Sequence, residues 1–151
     1  MTEVAPLVRR VHRRDIDAVT AIERASFPSP WPREAFEVLL DAPGFLVADE
    51  GQVVGFAVGT LEARDGQPWG HLKDLAVAPP SRSRGIGRRL CRAATDCLHR
   101  AGADVVGLEV RPSNHVALAC YRAVGFSIER REPAYYDDGE DAYWCVHRRS
   151  D

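Results

Sequence analysis

The stretch HLKDLAVAPPSRSRGIGRRL, residues 71–90, decides the fold of this protein. Its first seven residues have the pattern of a strand, and two consecutive prolines stop that strand. A helix is predicted after Gly85, with an apolar face at helical spacing formed by Ile86, Leu90, Ala94, Cys97 and Leu98. Gly102 is predicted to end the helix, and VVGLEV at 105–110 is predicted to be the next strand. A strand, a helix and a strand in this order form a crossover, which allows the two strands to pair in parallel.

The remaining elements continue from this unit in both directions. Five further strands are predicted, at 7–11, 45–49, 53–63, 126–131 and 142–147. Three further helices are predicted, from Asp15 as N-cap to Ser26, from Pro32 to about Leu40, and from Asn114 to Gly125. The second and third strands of the chain form an antiparallel hairpin through EGQ, and RDGQP at 64–68 forms a polar turn. We therefore expect one domain over residues 1–151, of the α/β or α+β class, with helices flanking a mixed sheet.

Composition limits the classes of function. The chain has 151 residues, of which 45% are hydrophobic, and a net charge of -2. This charge balance gives no support to a surface that binds nucleic acid or membranes in general. No stretch approaches 18 apolar residues and the N-terminus lacks an apolar signal core, so we expect a cytoplasmic protein. The four cysteines show neither zinc-ligand spacing nor a disulfide framework, and we expect free thiols and no metal.

The arginines around the two glycines are unusual for the start of a helix. A helix N-terminus carries a partial positive charge, yet five arginines lie there: Arg82, Arg84, Arg88, Arg89 and Arg92. Gly85 and Gly87 would let the backbone N–H groups approach an anion closely, and a phosphate would offset the repulsion. Neither the P-loop spacing nor the full dinucleotide-binding spacing is present. The pattern therefore favours a phosphorylated cofactor, and a solvated arginine face is the alternative.

Two further residues are candidates for proton transfer. Glu109 interrupts the apolar run VVGLEV, and burial would raise its pKa towards that of a general base. The alternative for Glu109 is a salt bridge or a sheet face open to water. Tyr121 lies on the predicted inward face of the last helix, where it is either a proton donor or a core tyrosine. His71 and His115 are interpreted as structural or surface residues.

These motifs together resemble a known family, the GCN5-related N-acetyltransferases (GNAT). LAVAPPSRSRGIG resembles the acetyl-CoA signature R/Q-x-x-G-x-G/A, which Arg82, Gly85 and Gly87 fill, with Ser83 where glycine is frequent. SFPSPW, LEVRPSN, CYRAVGF and YYDDGEDA, which span residues 26–142, resemble the ribosomal-protein-alanine N-acetyltransferases within that family. The resemblance implies a mostly antiparallel sheet of about seven strands with a central splayed parallel pair, flanked by about four helices.

The resemblance also implies the roles of the site residues. The backbones of Leu75, Ala76 and Val77 would bind the pantetheine and acetyl groups of acetyl-CoA, with the amide of Val77 facing the oxyanion. The pyrophosphate would be bound by the loop and first helical turn, namely Arg82, Ser83, Arg84, Gly85, Ile86, Gly87 and Arg88. Asn114 would contact the amide arm of the cofactor, Glu109 would accept the proton of the amine, and Tyr121 would protonate the CoA thiolate.

The expected reaction is acetyl transfer from acetyl-CoA to the N-terminal α-amine of a protein, with a ribosomal protein as one candidate acceptor. SFPSPW would form a wall of the peptide groove, and an acidic turn would attract a cationic N-terminus through Asp137, Asp138, Glu140 and Asp141. A solvated loop is the alternative for that turn. Two other functions remain open at this point: acetylation of a small-molecule amine, and a non-catalytic acyl-CoA-binding module.

Overall fold

The computed structural model describes residues 5–150, which form one mixed sheet with helices on both faces. The strands are β1 Leu7–Arg10, β2 Leu46–Asp49, β3 Val53–Arg64, β4 Gln67–Val77, β5 Val105–Val110, β6 Ser127–Glu132 and β7 Ala142–Arg148. The α-helices are α1 Ile16–Ser26, α2 Arg33–Glu37, α3 Ile86–Arg100 and α4 His115–Val124. The predicted mixed α/β fold is confirmed, and most predicted boundaries lie within a few residues of the observed ones.

The sheet has the strand order β1-β2-β3-β4-β5-β7-β6. Neighbouring strands are antiparallel throughout, except that β4 and β5 are parallel, as the crossover predicted. The parallel pairing is short, because it joins only residues 69–71 of β4 to residues 105–107 of β5. Beyond His71 the two strands diverge, and the second half of β4 has a neighbour on one side only. This divergence leaves a gap in the middle of the sheet.

Two apolar clusters cover the two faces of the sheet. One face packs against α3 and α4 through buried residues that include Leu72, Leu90, Leu98, Leu108, Val110 and Leu118. The other face packs against α1 and α2 through Ile16, Val19, Phe36, Phe45 and Phe56. Since side chains alternate along a strand, Leu108 and Val110 face α3 and α4, and Glu109 between them faces the opposite side.

The predicted polar turn RDGQP is much shorter in the structure. Strands β3 and β4 pair as far as Arg64 and Gln67, so only Asp65 and Gly66 form the loop. Both loop residues have positive φ angles, 52° at Asp65 and 76° at Gly66. This is the geometry of a two-residue hairpin turn, for which Asp-Gly is a preferred sequence. Strand β4 therefore begins four residues before the predicted strand at 71–77.

Two helix boundaries also differ from the prediction. The helix after Pro32 ends at Glu37 and not near Leu40, because the chain tightens there and the Leu39 N–H donates to the carbonyl of Phe36 at 3.0 Å.

Asp15 makes no capping bond to α1, since a 3₁₀ turn already begins after His12. Its carboxylate instead accepts the His12 N–H at 2.7 Å, and it pairs with Arg9.

Other predictions concerned the cysteines, membrane-spanning segments, metal ligands and the number of domains. The four cysteines are free thiols. Among the helices in residues 5–150, none has both the length and the apolar character needed to span a bilayer. Within the same residues no group of three or more histidine, cysteine or acidic side chains is arranged to hold a metal ion. The predicted single domain covers 1–151, of which residues 1–4 and 151 lie outside the described residues.

Candidate active site

The gap between β4 and β5 is edged by the backbone of Leu75, Ala76 and Val77. The N–H of Ala78 donates to the carbonyl of Val54 in β3 at 2.7 Å. Hydrogen-bonding direction alternates along a strand, so Ala76 also faces β3, whereas Leu75 and Val77 face the gap. Of the three predicted backbone contacts, two thus point their polar groups into the gap.

The glycine loop begins after a 3₁₀ turn at Pro79–Ser81 and leads directly into α3. Ser83 has a φ of 67° and Gly85 has a φ of 81°, both in the left-handed region. No side chain caps the N-terminus of α3, so the first amides of this helix have no side-chain partner in the part of the chain described here. Among residues 5–150, a Cβ on Gly87 would meet only Val77 Cγ2, at 3.6 Å, which is an ordinary contact. Packing within the protein therefore does not require glycine at position 87.

The arginines of this loop differ in their contacts. Arg82 donates from Nε to the carbonyl of Val77 at 2.9 Å and from a terminal nitrogen to Ser26 at 3.1 Å. Arg84 forms a two-point ion pair with Glu50, with distances of 3.1 and 3.0 Å. Arg88 is exposed, and none of the described residues forms a hydrogen bond or ion pair with it. Arg82 and Arg84 thus hold the loop in place, and Arg88 on the first turn of α3 points to solvent.

Asn114 is the N-cap of α4. Its Oδ1 accepts the N–H of Ala117 at 3.1 Å, which confirms the predicted start of this helix. Because the cap uses only the carbonyl oxygen, the amide NH₂ of this exposed side chain remains able to donate to a ligand.

A network around Glu109 lies on the sheet face opposite α3 and α4. Glu109 Oε1 lies 2.5 Å from Nε2 of His71, and its Oε2 accepts the hydroxyl of Tyr135 at 3.0 Å. The other ring nitrogen of His71, Nδ1, lies 3.1 Å from Oε1 of Glu62. Lys73 also contacts this oxygen of Glu62, at 3.2 Å. The imidazole is therefore held between two carboxylates, one on each side.

The network corrects the predicted titration of Glu109. Burial tends to raise the pKa of Glu109, but hydrogen bonds from His71 and Tyr135 outweigh burial and leave that pKa below its ordinary value. Burial tends to lower the pKa of His71, but Glu109 and Glu62 outweigh it and raise that pKa. The expectation of a raised pKa for Glu109 is thus wrong, because the carboxylate has a hydrogen-bonded partner. Within the His71–Glu109 pair, His71 is the group whose pKa is raised.

Tyr121 lies on α4 on the other side of β5. It is half-buried against the cluster beneath α3 and α4, with its ring centroid 6.0 Å from that of Phe126. Burial, together with the nearby Cys91 and Cys120, raises the pKa of its phenol well above the ordinary range, so the hydroxyl stays protonated. Tyr121 and Glu109 thus flank β5 from opposite faces, with no contact recorded between them among the described residues.

A groove of about 520 Å³ opens on the same side of the sheet as Glu109. SFPSPW contributes one wall through Phe27, Pro28, Ser29 and Trp31. The predicted acidic turn borders the groove, and ion pairs involve three of its four carboxylates: Arg111 pairs with Asp138 at 2.8 Å and with Glu140 at 2.9 Å. Asp141 pairs with Arg131 at 2.5 Å. Two arginines therefore offset part of the negative charge of this turn, and its net charge stays negative.

Sequence reasoning missed His71, Glu62 and Tyr135 as members of the site. One signal could have pointed to His71: it is a polar residue on β4, and β4 was predicted to pair in parallel with β5, the strand that holds Glu109. The register decides the contact, since His71 lies opposite Gly107 and Glu109 follows two residues later on the same face. Tyr135 comes from the β6–β7 connection, whose position no local pattern predicts.

Comparisons with known proteins agree with this geometry. The model of the acetyltransferase (GNAT) family matches residues 16–126. The uncharacterized N-acetyltransferase MJ1530 of Methanocaldococcus jannaschii is 31% identical, over 95% of this chain and 92% of that protein. An N-alpha-acetyltransferase of Sulfolobus acidocaldarius is 32% identical, over 90% of this chain and 88% of that protein. The crystal structure of the ribosomal-protein-S18-alanine N-acetyltransferase of Escherichia coli superposes with a TM-score of 0.80 at 27% identity, over 96% of this chain and 94% of that one. The chain, with its splayed parallel pair and glycine loop, belongs to the GNAT acetyltransferase family.

Proposed function

We propose that the protein acetylates the N-terminal α-amine of a protein or peptide, with acetyl-CoA as donor. The observation that carries the proposal is the gap between β4 and β5, which has the carbonyl of Leu75 and the N–H of Val77 on one edge and the His71–Glu109 pair near its closed end. The names of the Sulfolobus and Escherichia coli relatives support an α-amine, and the second makes a ribosomal protein one candidate acceptor.

The donor side of the site fits a CoA ester. The uncapped amides of α3 and the exposed Arg88 suit a pyrophosphate, and the absence of a side chain at Gly87 leaves room for it. The carbonyl of Leu75 and the N–H of Val77 face the gap, where they can bond to the amide-rich arm and the acetyl group, whereas the N–H of Leu75 already donates to Asp74 and the carbonyl of Val77 accepts from Arg82. Acetyl-CoA supplies the activated acyl group, and no metal is needed for that chemistry.

Gly87→Ala separates stability from cofactor binding. Alanine is a better helix former than glycine by up to about 1 kcal/mol, so the unliganded variant is expected to be at least as stable as the wild type. The added methyl group enters the space for the pyrophosphate, so we expect the Kd for acetyl-CoA to rise about tenfold, a loss near 1.4 kcal/mol. Calorimetric titration and thermal unfolding measure the two effects. Asp96→Ala, on the exposed face of α3, is the matched control. If the Kd for acetyl-CoA were unchanged in Gly87→Ala, the pyrophosphate would not bind against Gly87.

On the acceptor side, the chain must remove a proton from the ammonium form of the amine. The neutral His71 beside ionised Glu109 can receive that proton, and the imidazolium is then stabilised by Glu109 and Glu62. Tyr121, whose phenol stays protonated, can deliver a proton to the departing thiolate from the opposite face of β5. The amide of Val77 faces the gap, where it can donate to a developing oxyanion.

The pH dependence of turnover should follow His71. Only the neutral imidazole can accept a proton, so kcat is expected to rise as the pH passes through the raised pKa of His71, above the ordinary 6.5. Glu62→Gln removes one carboxylate that stabilises the imidazolium. The pH range over which kcat rises should then move to lower pH, because the imidazolium loses part of its stabilisation. The dependence of kcat on pH, measured at saturating peptide, shows the shift, and Glu129→Gln on exposed β6 is the control. If kcat in Glu62→Gln rose over the same pH range as in the wild type, His71 would be excluded as the titrating group.

The proposal itself is tested with an N-terminal peptide library. The protein and acetyl-CoA are incubated with the library and, separately, with a panel of small amines, and products are identified by mass spectrometry. We expect acetylation confined to the α-amines of peptides. Acetylation of small amines alone would support the small-molecule alternative. Acetyl-CoA binding without transfer to either panel would support a non-catalytic module.

A further inference from the structure

Two carboxyl groups meet at the inner wall of the groove, Glu23 from α1 and Asp74 from β4. Glu23 is only 2% exposed. One oxygen of each is bonded to a backbone amide: the N–H of Trp31 donates to Glu23 Oε2 and that of Leu75 to Asp74 Oδ1, both at 2.9 Å. The remaining oxygens, Glu23 Oε1 and Asp74 Oδ2, are buried and have no hydrogen-bond partner within the described part of the chain.

Two adjacent buried carboxylates cannot both be ionised without a large cost. Burial and then the neighbouring Glu23 raise the pKa of Asp74 to about 9. At neutral pH Asp74 therefore keeps its proton beside the buried carboxyl group of Glu23.

The other charged groups of the groove are already paired. The ammonium of Lys73 lies 3.2 Å from Glu62, and Arg111 pairs with Asp138 and Glu140. Tyr121 on α4, whose pKa Asp74 helps to raise, stays protonated, and His71 is held by Glu109 and Glu62. Among the described residues no cation compensates the Glu23–Asp74 pair.

We propose that Glu23 and Asp74 form the docking subsite for the protonated α-amino group of the acceptor, which replaces the proton that the two carboxyls share. An ammonium group has three N–H donors, and the pair offers two oxygens that lack donors. Asp74 directly precedes Leu75, which borders the gap, so the docked amine lies beside the donor site. The inference rests on the proposed function and specifies which groups recognise its substrate.

The proton balance of docking is defined. The free pair carries one proton and a charge of minus one, and the incoming ammonium carries plus one. In the complex both carboxyls are ionised around the ammonium, and one proton leaves to solvent. Docking of an uncharged, N-acetylated terminus has no ammonium to exchange and releases no proton. The ammonium proton itself is removed afterwards by the His71–Glu109 pair.

Calorimetry in buffers of different ionisation enthalpy measures this exchange. The probe is a short peptide with an N-terminal alanine, titrated into the protein saturated with CoA, so that no acetyl transfer occurs. At neutral pH we expect release of nearly one proton per peptide. Asp74→Asn keeps the shape and lets the amide donate to Glu23, so no shared proton remains. In this variant the release should disappear and the Kd for the peptide should rise roughly 10- to 100-fold.

Controls separate the possible outcomes. Asp138→Asn, in the same groove but already paired with Arg111, should retain the proton release, and thermal unfolding checks that each variant folds. The same peptide in N-acetylated form should release no proton. If the wild type binds the peptide tightly but releases no proton, the subsite is overturned and the proposed function stays intact. The same conclusion follows if Asp74→Asn releases as many protons as the wild type. If the wild type binds no peptide at all, both the proposed function and the subsite are contradicted.

Discussion

Glu109→Gln is expected to lower kcat for peptide acetylation by about 10²- to 10⁴-fold, the usual contribution of a positioned general base. The glutamine keeps the size of the side chain but cannot stabilise a proton on His71, which lies 2.5 Å away. Residual activity should increase with pH, because the free α-amine loses its own proton near a pKa of about 8. Steady-state kinetics from mildly acidic to alkaline pH measure both effects.

The matched control for this change is Glu129→Gln. Glu129 lies on the exposed strand β6, where it pairs with Arg148 at 2.7 Å, far from the groove lining. The substitution Glu129→Gln removes a carboxylate charge from the surface, just as Glu109→Gln removes one from the site, and it should leave turnover unchanged. If Glu109→Gln kept wild-type turnover across the pH range, the His71–Glu109 pair would have no part in proton removal.

Tyr121→Phe is expected to lower kcat by about 10²-fold, at the lower end of the range for general acid catalysis. A thiol loses its proton near a pKa of about 8.5, so the thiolate is a tolerable leaving group even without a donor. The phenol of Tyr121 stays protonated, and its ring packs against Phe126 in a contact that phenylalanine preserves. Affinity for acetyl-CoA should therefore remain unchanged, which calorimetric titration checks.

Tyr143→Phe is the control for the loss of a phenol. Tyr143 also packs against the cluster beneath α3 and α4, but it lies on β7. Strand β7 pairs with the edge of β5 that faces away from β4 and the gap. Equal losses of turnover in both variants would indicate a general packing effect. Unchanged turnover in Tyr121→Phe with normal acetyl-CoA binding would show that the thiolate leaves without this donor.

Much of the fold could be predicted because its signals are local. The apolar spacing of α3, Gly102 at its end and Asn114 at the start of α4 are properties of short segments, and each of these predictions is confirmed. The errors lie at element boundaries, where strand pairing or a tightened turn extends or shortens an element. Strand β4 is longer than predicted because β3 pairs with it down to a two-residue turn.

The candidate site was predictable only in part. Glu109, Tyr121 and the glycine loop have recognisable local patterns, and their catalytic and binding roles stay predictions. The contact between His71 and Glu109 joins residues 38 positions apart, and it depends on the parallel register of β4 and β5. Likewise, the acidic turn suggested a free negative surface, but Arg111 comes from a distant strand end and pairs with two of its carboxylates.

The sequence by itself determined the crossover unit, the glycine loop that begins α3 and the presence of a carboxylate on the adjoining strand. The two glycines were predicted to receive a phosphate; the structure shows that Gly85 needs its positive φ, whereas Gly87 has no packing reason to lack a side chain. Only the tertiary structure decided which charges are paired. The energy of a carboxylate depends on partners within a few ångströms, and these come from remote parts of the chain. For that reason Glu109 is a paired carboxylate with a lowered pKa, and the carboxyl with a raised pKa is instead Asp74, beside the buried Glu23.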